Sequence, residues 1–247
     1  MRKLIGFQTW LSLCFDRILP RELVADGNRE FLEAVVPANV RAGAVVYDVG
    51  GGKNPVISVG QKAALGLKVV GVDIDRDELA AAPAGAYDAT APADITVYRG
   101  SGDADLVICQ ALLEHVRDTN GALAAIASIL KPGGRALIFV PSRNAVYARL
   151  NLLLPQELKR RILFAIFPGM RRDHGFPAFY DRCTPAAFAE MSRRHGLVTD
   201  ERRVYFHSEY FRFFFPLHAL WRIWTMMFRA VAGEQAAETF TLVLRKA

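Results

Sequence analysis

The chain predicts an α/β fold, a mostly parallel sheet covered by helices on both faces. Three observations carry this. From residue 44 onward, short apolar runs alternate with helical stretches, the pattern of strand–helix–strand crossovers. The first run, Ala44-Val45-Val46-Tyr47-Asp48-Val49, stops at Gly50-Gly51-Gly52. The second, Leu67 to Asp73, ends in an acid twenty-five residues after Asp48. With 247 residues, 52% of them hydrophobic, the chain can fill one core, and neither a disordered nor a collagen-like polymer fits.

The elements follow in order. Met1-Arg2-Lys3 before the apolar stretch Leu4–Phe15 imitates a signal peptide. Gln8 and Thr9 interrupt that stretch, however, and no small-residue cleavage site follows. Leu4, Phe7, Leu11, Cys14, Phe15 and Ile18 instead fall at helical spacing, which predicts a retained amphipathic helix. Asn28 to Val36 reads as a second, short helix. After the first strand, Pro55 to Leu65 reads as a helix with proline in its first turn. Arg76 to Ala81 is a short helix, and Tyr87 to Ile95 a third strand diluted by Ala and Pro. Ala104 to Cys109 is the fourth strand, Asn120 to Leu130 a helix, and Arg135 to Val140 the fifth strand. Lys131-Pro132-Gly133-Gly134 forms the turn between that helix and strand. Asn144 to Phe167 is helical and apolar. Thr184 caps a helix that begins at Pro185 and runs to Gly196. Leu197 to Phe206 is a strand, Phe211 to Ala232 an aromatic helical stretch, and Thr239 to Leu244 the last strand.

Charge and cysteines narrow the setting. Cys14, Cys109 and Cys183 are few and far apart, so neither a disulfide framework nor a zinc cluster is expected, and a reducing cytoplasm is. The net charge is +6. Between Asn144 and Arg172 the cations Arg149, Lys159, Arg160, Arg161, Arg171 and Arg172 face one acid, Glu157, among large apolar residues. That mixture suits peripheral contact with an anionic membrane at least as well as nucleic acid, the plain alternative being a solvated helix face. Arg222 and Arg229 are seven apart and share a helix face, as an interfacial helix would place them. No uncharged run approaches the ~18 residues of a membrane span.

The chemistry concentrates at Asp48-Val49-Gly50-Gly51-Gly52-Lys53-Asn54 and Gly71-Val72-Asp73. Glycines after a strand let backbone approach a ligand, and an acid ending the next strand can accept both hydroxyls of a ribose. The glycine spacing departs from the dinucleotide fingerprint, which disfavours a nicotinamide oxidoreductase. No Lys followed by Ser or Thr closes the loop, which excludes a P-loop. The Asp-x-Gly-x-Gly-x-Asn pattern with Asp73 downstream resembles the first two motifs of class I S-adenosylmethionine-dependent methyltransferases. Ala104–Cys109, Leu113-Glu114-His115-Val116 and Leu130-Lys131-Pro132-Gly133-Gly134-Arg135 agree in order and spacing, so the resemblance covers roughly Val45 to Pro141.

The resemblance implies a Rossmann-like sheet of seven strands, one of them antiparallel. Residues 1–40 would be N-terminal helices, and 41–247 one domain with helical lid insertions at about 144–172 and 211–232. It implies S-adenosylmethionine as cofactor. Gly50, Gly51 and Gly52 would underlie its methionyl part, with Asp48 orienting the loop and Asn54 replacing the commoner third glycine. Asp73 would hold the ribose and Ile74 the adenine face. Asp94, ahead of Asp88, would meet the adenine amino group, and Cys109 and Gln110 would line the pocket.

The chain also resembles quinone-biosynthesis O-methyltransferases in Leu113-Glu114-His115-Val116 and Pro141-Ser142-Arg143-Asn144, and in an apolar insertion before a Thr-Pro helix. In those enzymes a Glu-x-x-Glu-His pattern is associated with a divalent metal. Here Ala111 stands in the first carboxylate's place, and two ligands make a poor magnesium site. No metal is expected. The implied reaction is O-methylation of a hydrophobic or amphiphilic molecule: a quinol, a lipid or a lipid-linked glycan. His115 is the candidate base and Glu114 its stabiliser, with His174, Tyr180 and Asp181 as further loop candidates. An RNA methyltransferase suits the charge but lacks the Asn/Asp-Pro-Pro-aromatic motif and the Pro-Pro-Cys nucleophile. A non-catalytic cofactor-binding protein is the remaining alternative.

Overall fold

The computed structural model describes residues 2–155 and 177–247. The basic cluster Lys159–Arg161, Arg171, Arg172 and His174 lie outside the described residues. Seven strands form one sheet in the order β3-β2-β1-β4-β5-β7-β6: β1 Val45–Val49, β2 Lys68–Asp73, β3 Ala89–Pro92, β4 Ala104–Gln110, β5 Leu130–Pro141, β6 Leu197–Tyr205 and β7 Thr239–Lys246. Strands β1 to β5 pair in parallel, and β7 runs antiparallel to both β5 and β6. The chain reverses direction across the sheet between β1 and β4, and such a switch point opens a crevice at the carboxyl ends of the strands.

Side chains alternate between the two faces, and both faces are covered. Val46, Ile108 and Leu137 join Phe31, Val35 and Val36 on one side. Tyr47, Val107 and Ile138 join Leu123, Ile126 and Phe188 on the other. The N-terminal helices are α1 Arg2–Arg17, α2 Arg21–Val24, α3 Gly27–Glu30 and α4 Val36–Asn39, with a wider π turn, Phe31–Val35, joining the last two. The crossover helices are α5 Val59–Leu65, α6 Arg76–Ala80, α7 Thr119–Ile129, α8 Val146–Leu153 and α9 Pro185–Arg194. The aromatic stretch forms α10, Phe215–Ala232.

Several boundaries differ from expectation. Helix α5 starts at Val59 rather than Pro55, because the Asp48 carboxylate accepts from Val56 N at 2.8 Å and Ser58 then caps with Gln61. Strand β3 shrinks to Ala89–Pro92, an edge strand whose proline has no N–H to donate. Leu130 already pairs with Ala104 and pairing resumes with Arg135 opposite Leu106, so Lys131–Gly134 bulge out of the ladder rather than precede it. Of the helix expected over Asn144–Phe167, α8 is the part within the described residues.

Arg222 and Arg229 do share a face, but Arg222 on it points inward. Arg222 is 1% exposed and donates to the Phe206 and Leu23 carbonyls. Arg229 pairs with Glu22 at 3.0 Å and lies 4.7 Å over the Phe206 ring. Arg222 is thereby withdrawn from any surface, whereas Arg229 stays partly exposed in its pair with Glu22. Their partners lie far away in sequence, so helical spacing alone could not show which way the face turns.

Candidate functional site

The site grows from the carboxyl ends of β1, β2 and β4. Gly50 turns the chain at φ 81°, its N–H donating to the Val72 carbonyl at 2.7 Å, and a Cβ there would lie 2.9 Å from Leu112. A Cβ on Gly51 would fall 2.5 Å from the Asp48 carboxylate. Only bare backbone fits this loop. The loop is braced by Tyr87, whose hydroxyl donates to the Gly52 carbonyl at 3.1 Å. Asp48, Val49, Gly50, Gly51, Asn54, Val56 and Gln110 line a cleft of about 190 Å³. A larger cavity of about 480 Å³ opens at the opposite, amino ends of β1, β4 and β5 and includes none of this loop.

The electrostatics of the cleft are acidic. Burial pushes the Asp48 carboxyl up to about 7, against the lowering effect of the Val56 and Tyr87 bonds. Its Oδ1 is buried without a partner. Asp73 ends β2 beside Gly52, where a Cβ would stand 3.3 Å from its Oδ2. Burial raises its pKa too, and the Asp75 and Glu78 charges add to that against bonds from backbone N–H groups. Among the described residues neither Asp48 nor Asp73 has an ion-pair partner. Ile74 stands next to Asp73 and is 65% exposed, an apolar side chain at the rim.

Other expected residues are placed differently from one another. The Ala93 N–H donates to the Asp73 carbonyl at 2.8 Å, which puts Asp94 just beyond that strand end. Asp94 Oδ1 accepts from Thr96 N and Oγ1, both at 2.8 Å, capping its own turn. Asp88 is committed elsewhere, to Lys62 at 2.7 Å and Val69 N at 2.7 Å. Cys109 is wholly buried and its thiol pKa is raised by that burial. Gln110 reaches Asn28 at 2.6 Å.

Past β4 the backbone strains at Ala111, φ 49°, and enters a 3₁₀ turn, Leu113–His115. Glu114 is 4% exposed, burial pushes its carboxyl up to about 8, and its Oε2 has no partner. Its carbonyl accepts from Phe179 N at 2.7 Å and Tyr180 N at 2.9 Å. The pKa values of buried Tyr147 and Tyr180 are raised, by burial first and also by the Glu114 charge. Tyr210 stacks on Tyr147 from the exposed side, centroids 4.2 Å apart. His115 Nδ1 lies 3.1 Å from the Pro177 carbonyl and its Nε2 3.7 Å from Glu114 Oε1. Tyr180, at φ 50°, and Arg182, at φ 52°, are strained on the facing loop, and strain of this kind gathers where function over-determines the backbone. Asp181 instead holds Thr119 N at the start of α7.

The family model described as "Methyltransferase domain" matches residues 15–201. The chain belongs to this methyltransferase family.

A ubiquinone biosynthesis O-methyltransferase of Thiobacillus denitrificans is 30% identical to this methyltransferase over 193 residues, covering 71% of this chain and 78% of the relative. The fold matches an S-adenosylmethionine-dependent methyltransferase from Mesorhizobium loti at 16% identity, with a TM-score of 0.55 over 90% of this chain and 99% of that one. It also matches Haemonchus contortus phosphoethanolamine N-methyltransferase 2 in complex with S-adenosyl-L-methionine, at 15% identity and a TM-score of 0.54, over 98% of this chain and 56% of that one. This methyltransferase is an S-adenosylmethionine-dependent enzyme.

Its residues fit that cofactor. The glycine loop leaves space a Cβ would fill, and two acids without cationic partners suit a ligand that carries a sulfonium and an ammonium. Among the described residues no group of three or more His, Cys, Asp or Glu is arranged to hold a metal. Tyr87, Asn28, Tyr147 and Tyr210 went unnoticed in the sequence as site neighbours. Each arrives from a segment with no motif, and only pairing and packing bring it to the loop or the Glu114 cluster.

Proposed function

We propose that the chain transfers a methyl group to an oxygen of a hydrophobic or amphiphilic small molecule, with quinols and phenols ahead of lipids and lipid-linked glycans. The observation that carries this reading is the buried Glu114 carboxyl, whose Oε2 has no partner while Oε1 lies 3.7 Å from His115 Nε2, close enough to buried Tyr147 and Tyr180 for its charge to raise their pKa values. An aromatic wall with one convergent polar group suits an acceptor that is mostly apolar with a reactive hydroxyl. The Thiobacillus relative, named for ubiquinone biosynthesis, supports the same class.

In this reading Asp48, Gly50, Gly51 and Gly52 hold the methionyl part, Asp73 the ribose, Ile74 and Asp94 the adenine, and Cys109 and Gln110 the pocket wall. The bound cofactor supplies an electrophilic methyl on a sulfonium. The chain positions the acceptor and removes its proton. A carbonyl can only accept, so the Pro177 contact places the His115 proton on Nδ1 and makes Nε2 the nitrogen that takes the acceptor's proton. Glu114 then steadies the imidazolium across 3.7 Å. Residues 1–40 form the helical entry and 41–247 the catalytic domain, with 211–232 and the described part of the 144–172 insertion, residues 144–155, covering the acceptor.

The test is turnover with catechols, quinols and hydroxylated lipids, the product's methyl located by mass spectrometry. His115→Gln is expected to lower kcat by roughly 10²–10⁴ while cofactor affinity measured by calorimetry stays within twofold. Methylation of amines or RNA with every hydroxyl acceptor inert would overturn the proposal.

A further inference from the structure

Helices α1 and α10 are inside out. In α1 the inward stripe is polar. Gln8 Oε1 accepts from Phe215 N at 3.0 Å, Ser12 Oγ donates to the Arg212 carbonyl at 3.1 Å, and Asp16 meets His218 Nε2 at 3.0 Å and Arg222 Nε at 3.2 Å. Its outward face is Leu4, Phe7, Trp10 and Leu13. Helix α10 repeats the inversion, burying His218, Arg222 and Thr225 beside Trp221 while Leu217, Leu220, Ile223, Trp224, Met227 and Val231 face outward. Trp10 is 56% exposed, Trp224 53% and Val231 90%. A surface helix in water does the reverse, and apolar surface gathered in this way marks an interaction site. Gln8, Ser12 and Asp16 all reach the stretch from Arg212 to Arg222, so the two helices pack against each other through these polar groups.

Charge selects the occupant. Lys3, Arg17 and Arg21 are exposed and have no acidic partner among the described residues. The nearby acids Glu22 and Glu209 are taken by Arg229 and Arg212. A second copy docked face to face about a two-fold axis would set one set of unpaired cations against the other. An anionic lipid surface meets them with opposite charge, and exposed tryptophans suit the headgroup level. No helix among the described residues is long and apolar enough to cross a membrane. Helices of this length, about 24 and 27 Å, can lie along one.

We infer that the outward faces of α1 and α10 form a docking surface for an anionic bilayer, bordered by Lys3, Arg17 and Arg21. The surface lies apart from the glycine loop and does not rest on the acceptor's identity. Flotation of the full chain tests it, using vesicles of phosphatidylcholine with a quarter phosphatidylglycerol and vesicles of phosphatidylcholine alone, with sedimentation velocity run without lipid. The wild type is expected to float at least tenfold better with the anionic vesicles. Trp10→Glu/Trp224→Glu is expected to reduce flotation tenfold or more, and Lys3→Ala/Arg17→Ala/Arg21→Ala to erase the preference for anionic lipid. Both variants should keep wild-type S-adenosylmethionine affinity, which reports folding separately from docking. Wild-type tryptophan fluorescence is expected to be quenched by brominated lipid, a readout that needs no variant. Unchanged flotation of the Trp variant, no quenching, or a lipid-free dimer that the Trp variant breaks would overturn the inference.

Discussion

Asp73 lies at the meeting of β2 and the glycine loop, where its Oδ1 accepts from the Asp75 N–H at 3.0 Å. Its second oxygen faces Gly52, so a ligand hydroxyl there would bond to a charged acceptor, worth about 1.5–3 kcal/mol. Asp73→Ala is expected to weaken S-adenosylmethionine binding by roughly 10–100-fold in calorimetry, with the ligand-free melting temperature little changed. Glu114 makes a different prediction. Folding raises its pKa from 4.5 to about 8, so the folded chain holds that proton more tightly than the unfolded one. Its contribution therefore falls as pH rises from 4.5 through 8. Glu114→Gln, neutral throughout, is expected to gain on the wild type by a few kcal/mol between pH 5 and pH 8.5, read by denaturant unfolding at each pH. A wild type whose stability stays parallel to the variant's would contradict this.

The N-terminal helix is held by charge where hydrophobic contact would be usual. Burial alone would raise the Asp16 pKa, but the His218 bond and the His218 and Arg222 charges hold it below its ordinary value. Asp16→Ala leaves Arg222 buried without its ion-pair partner, and a loss of about 3–5 kcal/mol is expected. Asp16→Ala/Arg222→Met should recover much of it, because the second change removes the orphaned charge. Nothing in the local pattern of α10 reveals this partner, since Asp16 and Arg222 are 206 positions apart. The sheet was more legible. Strands β1, β2, β4 and the later part of β5 are apolar runs that stop at Gly50, Asp73, Gln110 and Pro141, so their physics is local. Strand β3 and the start of α5 were less so, because a proline on an edge and a buried Asp48 set their limits. The same division holds in the site. Asp48, the glycines and Asp73 sit together because adjacent parallel strands must end together, whereas Tyr87 and Asn28 enter through contacts that no spacing encodes.

Three buried carboxyls act together on the whole molecule. Asp48 and Glu238 are pushed up to about 7 and Glu114 to about 8, in each case chiefly by burial. His207 is lowered from its ordinary 6.5, by burial and then by the Arg212 and Arg222 charges, so its effect opposes theirs in acid and is spent above pH 6.5. Between about pH 6.5 and 8 the carboxyls act alone, and the melting temperature of the ligand-free protein is expected to fall steadily across that window. Differential scanning fluorimetry in matched ionic strength checks it, and a flat profile would contradict it.

Strand β7 lies between β5 and β6 although it follows β6 in the chain. During synthesis β6 therefore emerges with no strand to join, and β5 keeps an open edge, until the residues after Ala237 arrive to bridge them. The half of the sheet that carries the glycine loop can assemble early, while the other half waits. For that interval a nascent chain exposes two unpaired strand edges, and at that stage it has most need of a chaperone.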